Sequence, residues 1–218
     1  MIQHVWENAK KTKGLDEILI ATDDERILNA VNKFGGKVVL TNPDHKTGTD
    51  RIIEVLSGHS CEWVLNIQGD EPLISPYDLD KLIKKAQETK GVNAATLVQK
   101  FYNESSIKDP NIVKVVLDKK KHALYFSRSI IPFSNNLKNN NFFYWRHLGV
   151  YFFKRDFLIN FHKWPQTLLE KTEELEQLRV LENGETFLCV EAQDESLSVD
   201  LPEHIKMVEN LIKLKKNK

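Results

Sequence analysis

An α/β domain with a mostly parallel sheet is the fold this sequence predicts. Short apolar runs of strand length alternate with amphipathic stretches of helical period along the whole chain. Polar turns rich in Asp, Thr and Gly separate them, and several directly follow an apolar run. The 218 residues, 41% of them hydrophobic, suffice for one domain with a sizeable core. Lys plus Arg and Asp plus Glu balance at 31 each, so the chain lacks the charge footprint of a nucleic-acid or anionic-membrane binder. It also lacks the run of about 18 apolar residues that a spanning helix needs. Cys61 and Cys189 match no metal-ligand or redox spacing. No disulfide is expected, and a reducing cytoplasm is the expected compartment.

The chain opens in a helical pattern, with Ile2, Val5, Trp6 and Ala9 on one face, which is not the pattern of a targeting peptide. Ile18 to Ala21 predicts a buried strand ending at Thr22-Asp23-Asp24, whose carboxylates suit a helix start. A helix from about Glu25 to Phe34 follows, stopped by Gly35-Gly36, then a strand over Lys37 to Leu40. After the loop Thr41 to Thr49 comes a helix carrying Ile52, Ile53 and Leu56. Trp63 to Ile67 is a strong strand running into Gln68-Gly69-Asp70-Glu71-Pro72. A helix over Tyr77 to Thr89 and a strand over Asn93 to Val98 continue the alternation.

Val113 to Leu117 and Ala123 to Phe126, joined by a charged turn, predict a hairpin. It suggests an insertion or dimer arm around residues 111–150 within a single domain spanning 1–218. Asn135 to Asn141 is expected as a surface loop, His147 to Phe153 as a strand and Pro165 to Asn183 as one long helix. Thr186 to Glu191 is the last strand, and Pro202 opens the C-terminal helix.

Ligands of such sheets bind at the carboxyl ends of parallel strands, which points to the turns at 22–24, 47–51 and 68–72. Neither a P-loop nor a G-x-G-x-x-G motif is present. Asp70, after an apolar strand and beside a glycine, is placed either to hold a hard cation such as Mg²⁺ or to serve as a turn or helix-capping aspartate. Asp200, before Pro202, has the same two readings. Arg128 and Arg146, each on or after a strand, suit an anionic substrate, since Arg holds a carboxylate bidentately. Glu173, Glu174 and Glu176 fit a solvated helix face. These patterns reach as far as a phosphate-handling α/β enzyme.

Taken in order, the motifs are more specific. Ala21-Thr22-Asp23-Asp24, Asp44-His45-Lys46-Thr47-Gly48-Thr49-Asp50-Arg51 and Asn66-Ile67-Gln68-Gly69-Asp70-Glu71-Pro72 lie in the first half. Lys114-Val115-Val116-Leu117-Asp118, Tyr125-Phe126-Ser127-Arg128, Arg146-His147-Leu148-Gly149-Val150-Tyr151, Leu175-Glu176-Gln177-Leu178-Arg179 and Val199-Asp200-Leu201-Pro202-Glu203 lie in the second. Together they resemble the 3-deoxy-manno-octulosonate cytidylyltransferase (CMP-Kdo synthetase) family, from Met1 to about Met207. The resemblance implies a three-layer αβα fold of the nucleotide-diphospho-sugar transferase type, with a mixed, mostly parallel sheet. It implies transfer of CMP from CTP to the sugar acid Kdo with release of pyrophosphate, for lipopolysaccharide biosynthesis. A Mg²⁺-dependent, cytoplasmic homodimer is expected, without nucleic-acid or membrane partners. By position, Asp70 and Asp200 are implied as the catalytic, metal-holding carboxylates. Gln68, Gly69, Arg51, Arg128, His147, Glu176 and Gln177 are implied as substrate-binding residues, with Arg128 and His147 on the sugar carboxylate.

Members of that family begin with a strand and a loop resembling Pro-Ala-Arg-x-x-Ser-x-Arg-Leu-Pro-x-Lys around the CTP phosphates. Here the pattern starts after it, a difference of about 25–30 residues, most of the first half of a βαβ unit. Such a strand would be central, so its neighbours are expected to show unpaired edges. An inactive remnant serving as a binding or dimerisation module, or a cytidylyltransferase for another sugar acid such as sialic acid, are the alternative readings.

Overall fold

The structure, a computed structural model, describes residues 1–45, 47–101, 104–134, 143–194, 196–199 and 201–216, except for the side chains of 104, 105, 215 and 216. The elements run α1 (Ile2–Ala9), β1 (Ile20–Thr22), α2 (Glu25–Lys33), β2 (Val38–Leu40), α3 (Gly48–Leu56), β3 (Trp63–Ile67), α4 (Pro76–Glu88) and β4 (Ala94–Phe101). They continue with α5 (Glu104–Lys108), β5 (Lys114–Leu117), β6 (Ala123–Ser127), β7 (Tyr144–Lys154), α6 (Arg155–Lys163), α7 (Leu168–Glu173), α8 (Leu178–Glu182), β8 (Leu188–Glu191) and α9 (Pro202–Lys216). No described helix is long and apolar enough to cross a membrane.

A six-stranded mixed sheet carries the core, in the order β6-β5-β7-β4-β8, with β3 also on β7. Strands β3, β4, β5 and β8 share one direction, and β6 and β7 oppose it. Because β7 pairs with three neighbours, most ladders of this sheet are antiparallel even though most of its strands run one way. Alternation along the strands feeds two cores, one on each face. Ala94, Val98 and Phe153 pack with Phe161, Leu178 and Phe187. Ala95, Leu97 and Phe152 pack with Leu79, Leu82 and Ile83 of α4. These are the layers of an αβα sandwich.

Strands β1 and β2 form a separate two-stranded parallel sheet. Among the described residues β1 pairs only with β2, and β3 only with β7, so each keeps an edge without a strand partner. Helices tie the two sheets together. Ile52 and Ile53 of α3 join the core that Val64 of β3 joins. On α1, Trp6 packs on Phe34 at 5.0 Å, and Asn8 Nδ2 donates to Pro72 O at 3.1 Å.

One expectation for the second half needs correction. The helix expected over 165–183 is two short ones, because Glu174 takes a left-handed conformation (φ 52°) that ends α7, and α8 begins only at Leu178. Between the expected strand and that helix, where the sequence predicts no element, the chain forms α6. The expected hairpin forms as β5–β6, turning through Lys121 at φ 68°. The loop at 135–141 lies outside the described residues. Both cysteines are free, Cys61 exposed and Cys189 buried.

Candidate active site

A register shift in β7 makes the site. Thr96 of β4 faces Tyr151, yet Val98 faces His147, so β4 advances from 96 to 98 while β7 retreats from 151 to 147. The bulge at Leu148–Val150 breaks the ladder and re-aims the side chains around it, as bulges beside functional sites do. Gly149 lets the turn approach closely, since a Cβ there would sit a tight 3.3 Å from the Gln68 side chain. Gly149 O accepts the Gln68 N–H at 3.1 Å, and Gly149 N donates to Glu71 Oε1 at 3.0 Å. The turn after β3 is thereby locked onto β7.

Over this bulge opens a cavity of about 400 Å³. Gln68, Asp70, Glu71, Arg128, Arg146 and His147 line it together with Tyr151, Glu176 and Gln177. The broken helix supplies the last two. Had residues 165–183 stayed helical, Glu176 would lie on a regular helical turn; in the loop after Glu174 its Oε2 accepts the Thr49 hydroxyl at 2.9 Å. Its Oε1 is buried without a hydrogen-bond partner among the described residues, 3.8 Å from Arg179 Nη2. Burial raises the Glu176 pKa, and Thr49 and Arg179 act against that rise.

The cationic wall is held from behind. Ser127 Oγ and Arg128 N donate to the Glu173 carboxylate at 2.7 and 2.9 Å. The Arg128 guanidinium donates to the carbonyls of Glu173, Pro110 and Glu174. Lys114, fully buried, spends its three ammonium protons on Asp109 O, Ile112 O and Arg128 O, at 2.8, 2.9 and 2.6 Å. Burial lowers its pKa. Arg146 is fixed by Gln99 Oε1 and Ser196 O. Glu173 is therefore a structural acceptor rather than part of a solvated acidic face.

His147 is partly open to the cavity, with Nε2 2.9 Å from Thr96 Oγ1 and the ring edge-on to Phe126 at 5.3 Å. Burial pushes its pKa down to about 3. The ring is neutral at physiological pH, so it offers a substrate a hydrogen-bonding nitrogen and not a positive charge. Tyr151 donates to Gln177 Oε1 at 3.3 Å, and burial with nearby carboxylates raises its pKa.

Asp70 lies in the turn and is not a helix cap, since α4 is capped by Ser75. Its carbonyl accepts the Val199 N–H at 2.9 Å. Val199 immediately precedes Asp200, which lies outside the described residues. Among the described residues no group of three or more His, Cys, Asp or Glu is arranged to hold a metal. Mg²⁺ asks for less, one or two carboxylates completed by phosphate oxygens and water, and Asp70 in the cavity wall meets that demand.

The remaining expected residues sit apart. Arg51 bonds Thr41 Oγ1 and pairs with Asp23 at 3.2 Å, outside the cavity lining. Gly69 faces the Ile2 side chain and is likewise outside the lining. Glu71, Tyr151 and Lys114 were not singled out from sequence. Glu71 is 3% exposed, takes Gly149 N and the Ser196 hydroxyl at 3.0 Å each, and has its pKa raised by burial. A second acid after Asp70 was the only available signal, and it does not say which of the two faces inward.

Comparison with known proteins identifies the family. A family profile described as cytidylyltransferase matches residues 1–187. A 3-deoxy-manno-octulosonate cytidylyltransferase of Fusobacterium nucleatum is 46% identical over 214 residues, 98% of this chain and 86% of that protein. The enzyme of the same name from Geobacter sulfurreducens is 45% identical over 217 residues, covering 95% and 87%. A solved CMP:2-keto-3-deoxy-manno-octonic acid synthetase complexed with CTP superposes with a TM-score of 0.90 at 37% identity, covering 98% of this chain and 88% of that one. A 4-diphosphocytidyl-2C-methyl-D-erythritol synthase from Anaerococcus prevotii, at a TM-score of 0.62 and 13% identity, shares the fold alone. With this fold, this cavity and these relatives, the chain belongs to the cytidylyltransferase family.

Proposed function

We propose that this chain transfers CMP from CTP to Kdo, giving CMP-Kdo and pyrophosphate. The observation that carries the reading is the composition of the cavity in a chain so similar to a synthetase solved with CTP. Arg128 and Arg146 supply charge for a sugar carboxylate, while His147, Glu176 and Gln177 supply hydrogen-bonding groups for hydroxyls. Asp70 stands beside them for the metal that accompanies a triphosphate.

In this reading the anomeric hydroxyl attacks the α-phosphorus, and its proton is released to solvent as the new oxygen–phosphorus bond forms. The bond from α-phosphorus to the bridging oxygen breaks, and pyrophosphate leaves with that electron pair. Side chains do little covalent work, so positioning and charge placement supply most of the acceleration. Glu176 Oε1 accepts a sugar hydroxyl, and Gln177 is oriented for the same task by Tyr151. Asp70 and Asp200 would hold Mg²⁺, which when bound neutralises phosphate charge and orients oxygen ligands. The polar turns at Thr22–Asp24 and Thr47–Arg51 form the nucleotide side.

Self-association into a dimer belongs to the same proposal. It is supported by apolar side chains exposed on the 111–150 segment, Leu124 at 62% and Phe133 at 84%. The cytoplasm is the proposed compartment. Pyrophosphate release from CTP tests the substrate directly. Release is expected with Kdo and not with a neutral sugar; equal rates with sialic acid would shift the reading to a broader sugar-acid transferase. Sedimentation tests the dimer, a concentration-independent monomer contradicting it.

A further inference from the structure

Thr96 is completely buried in the centre of β4, a strand otherwise apolar where it passes beneath the cavity. Its hydroxyl has two neighbours, Val150 O at 2.7 Å and His147 Nε2 at 2.9 Å. A hydroxyl carries one proton, and a carbonyl oxygen can only accept. The proton therefore goes to Val150 O, which the bulge has released from the β4–β7 ladder. The Thr96 oxygen is left as an acceptor, and His147 Nε2 must carry a hydrogen to meet it. In a neutral ring the other nitrogen, Nδ1, is then bare, and it has no protein partner among the described residues.

We propose that Thr96 is a positioning residue that fixes His147 as the Nε2–H tautomer, so that Nδ1 presents a lone pair to the cavity and reads a hydroxyl of the sugar acid. The second half rests on the function proposed above; the tautomer does not. A lone pair repels a carboxylate oxygen and accepts from a hydroxyl. This moves His147 from the carboxylate of the substrate, where the sequence placed it, to its hydroxyls, and leaves the carboxylate to arginine. Carbonyl, hydroxyl and imidazole form a relay whose direction the Val150 carbonyl sets.

The test is nitrogen-15 NMR of the full chain labelled at histidine, with the His147 resonances identified by their absence in His147→Asn. A proton-bearing Nε2 and a bare Nδ1 are expected in the unmodified chain. Thr96→Val should abolish the single tautomer and raise KM for Kdo about tenfold, the worth of one hydrogen bond, with KM for CTP unchanged. Thr96→Ser should restore both readouts. A proton on Nδ1 in the unmodified chain overturns the proposal without any variant. So does a Thr96→Val protein with unaltered tautomer and unaltered KM. A fixed Nε2–H tautomer in a chain that turns over no Kdo would uphold the role of Thr96 and overturn the substrate assignment.

Discussion

At the cavity end of the six-stranded sheet, polar side chains are buried or half-buried and most are held by hydrogen bonds to the surrounding chain. Glu71 binds Gly149 and Ser196, Lys114 binds three carbonyls, and Arg128 binds three more. Around the β1–β2 pair, the partly buried Arg51–Asp23 ion pair apart, charge lies closer to solvent. Asp24 caps α2 and pairs with Arg26, whose side chain is 91% exposed, and Leu40 is 50% exposed. The two sheets thus treat charge in opposite ways. Buried polar groups held by hydrogen bonds give a fixed shape suited to recognising one small acid. Solvated pairs hold little energy and leave their surroundings adjustable.

Substitutions should separate the two regions, and the largest effect is expected at Asp70. Asp70→Ala should lower kcat by about a thousandfold or more, as loss of a charge-stabilising group does, while leaving the melting temperature nearly unchanged. Steady-state kinetics with calorimetry checks both halves. Glu71→Ala, one residue on, should do the reverse in kind. It leaves Gly149 N and the Ser196 hydroxyl unsatisfied in the interior, costing about 2–3 kcal/mol in urea unfolding. In the other region Thr47→Ala removes the α3 cap that accepts from Asp50 N, and should cost about 1 kcal/mol. An equal loss for Glu71→Ala and Thr47→Ala would erase the contrast.

The pH dependence is a subtler test of the same contrast. His147 has a folded pKa lowered from 6.5 to about 3, so between these values the unfolded chain binds more protons than the folded one. Its contribution to stability is complete above 6.5 and is lost as pH falls toward 3. Glu71 and Glu176, raised by burial, act with the opposite sign and lose their contribution as pH rises through their folded values. His147→Gln should therefore flatten the acid side of the stability curve relative to the unmodified chain, as read by urea unfolding at stepped pH.

How far the sequence could be read follows from what carries the information. Trp63–Ile67 was legible because an apolar run between polar turns has one good solution, and the β5–β6 hairpin because its charged turn matches its spacing. The break at Glu174 was not, since helical periodicity continues through it and no Gly or Pro announces a left-handed residue. That miss hid the role of Glu173 and the geometry of Glu176. Asp70, Gln68, Arg128, His147, Glu176 and Gln177 meet in one cavity, whereas Arg51 and Gly69 stand outside its lining. Thr96 was invisible, because its role depends on a register shift that no local pattern encodes.

The most direct measurement is the product itself. The purified chain would be incubated with CTP, Mg²⁺ and Kdo, and CMP-Kdo and pyrophosphate quantified together by mass spectrometry and phosphorus NMR. The account predicts equal amounts of both, dependent on Kdo and lost in Asp70→Ala. A folded chain that forms no CMP-Kdo, or forms it undiminished without Asp70, would contradict it.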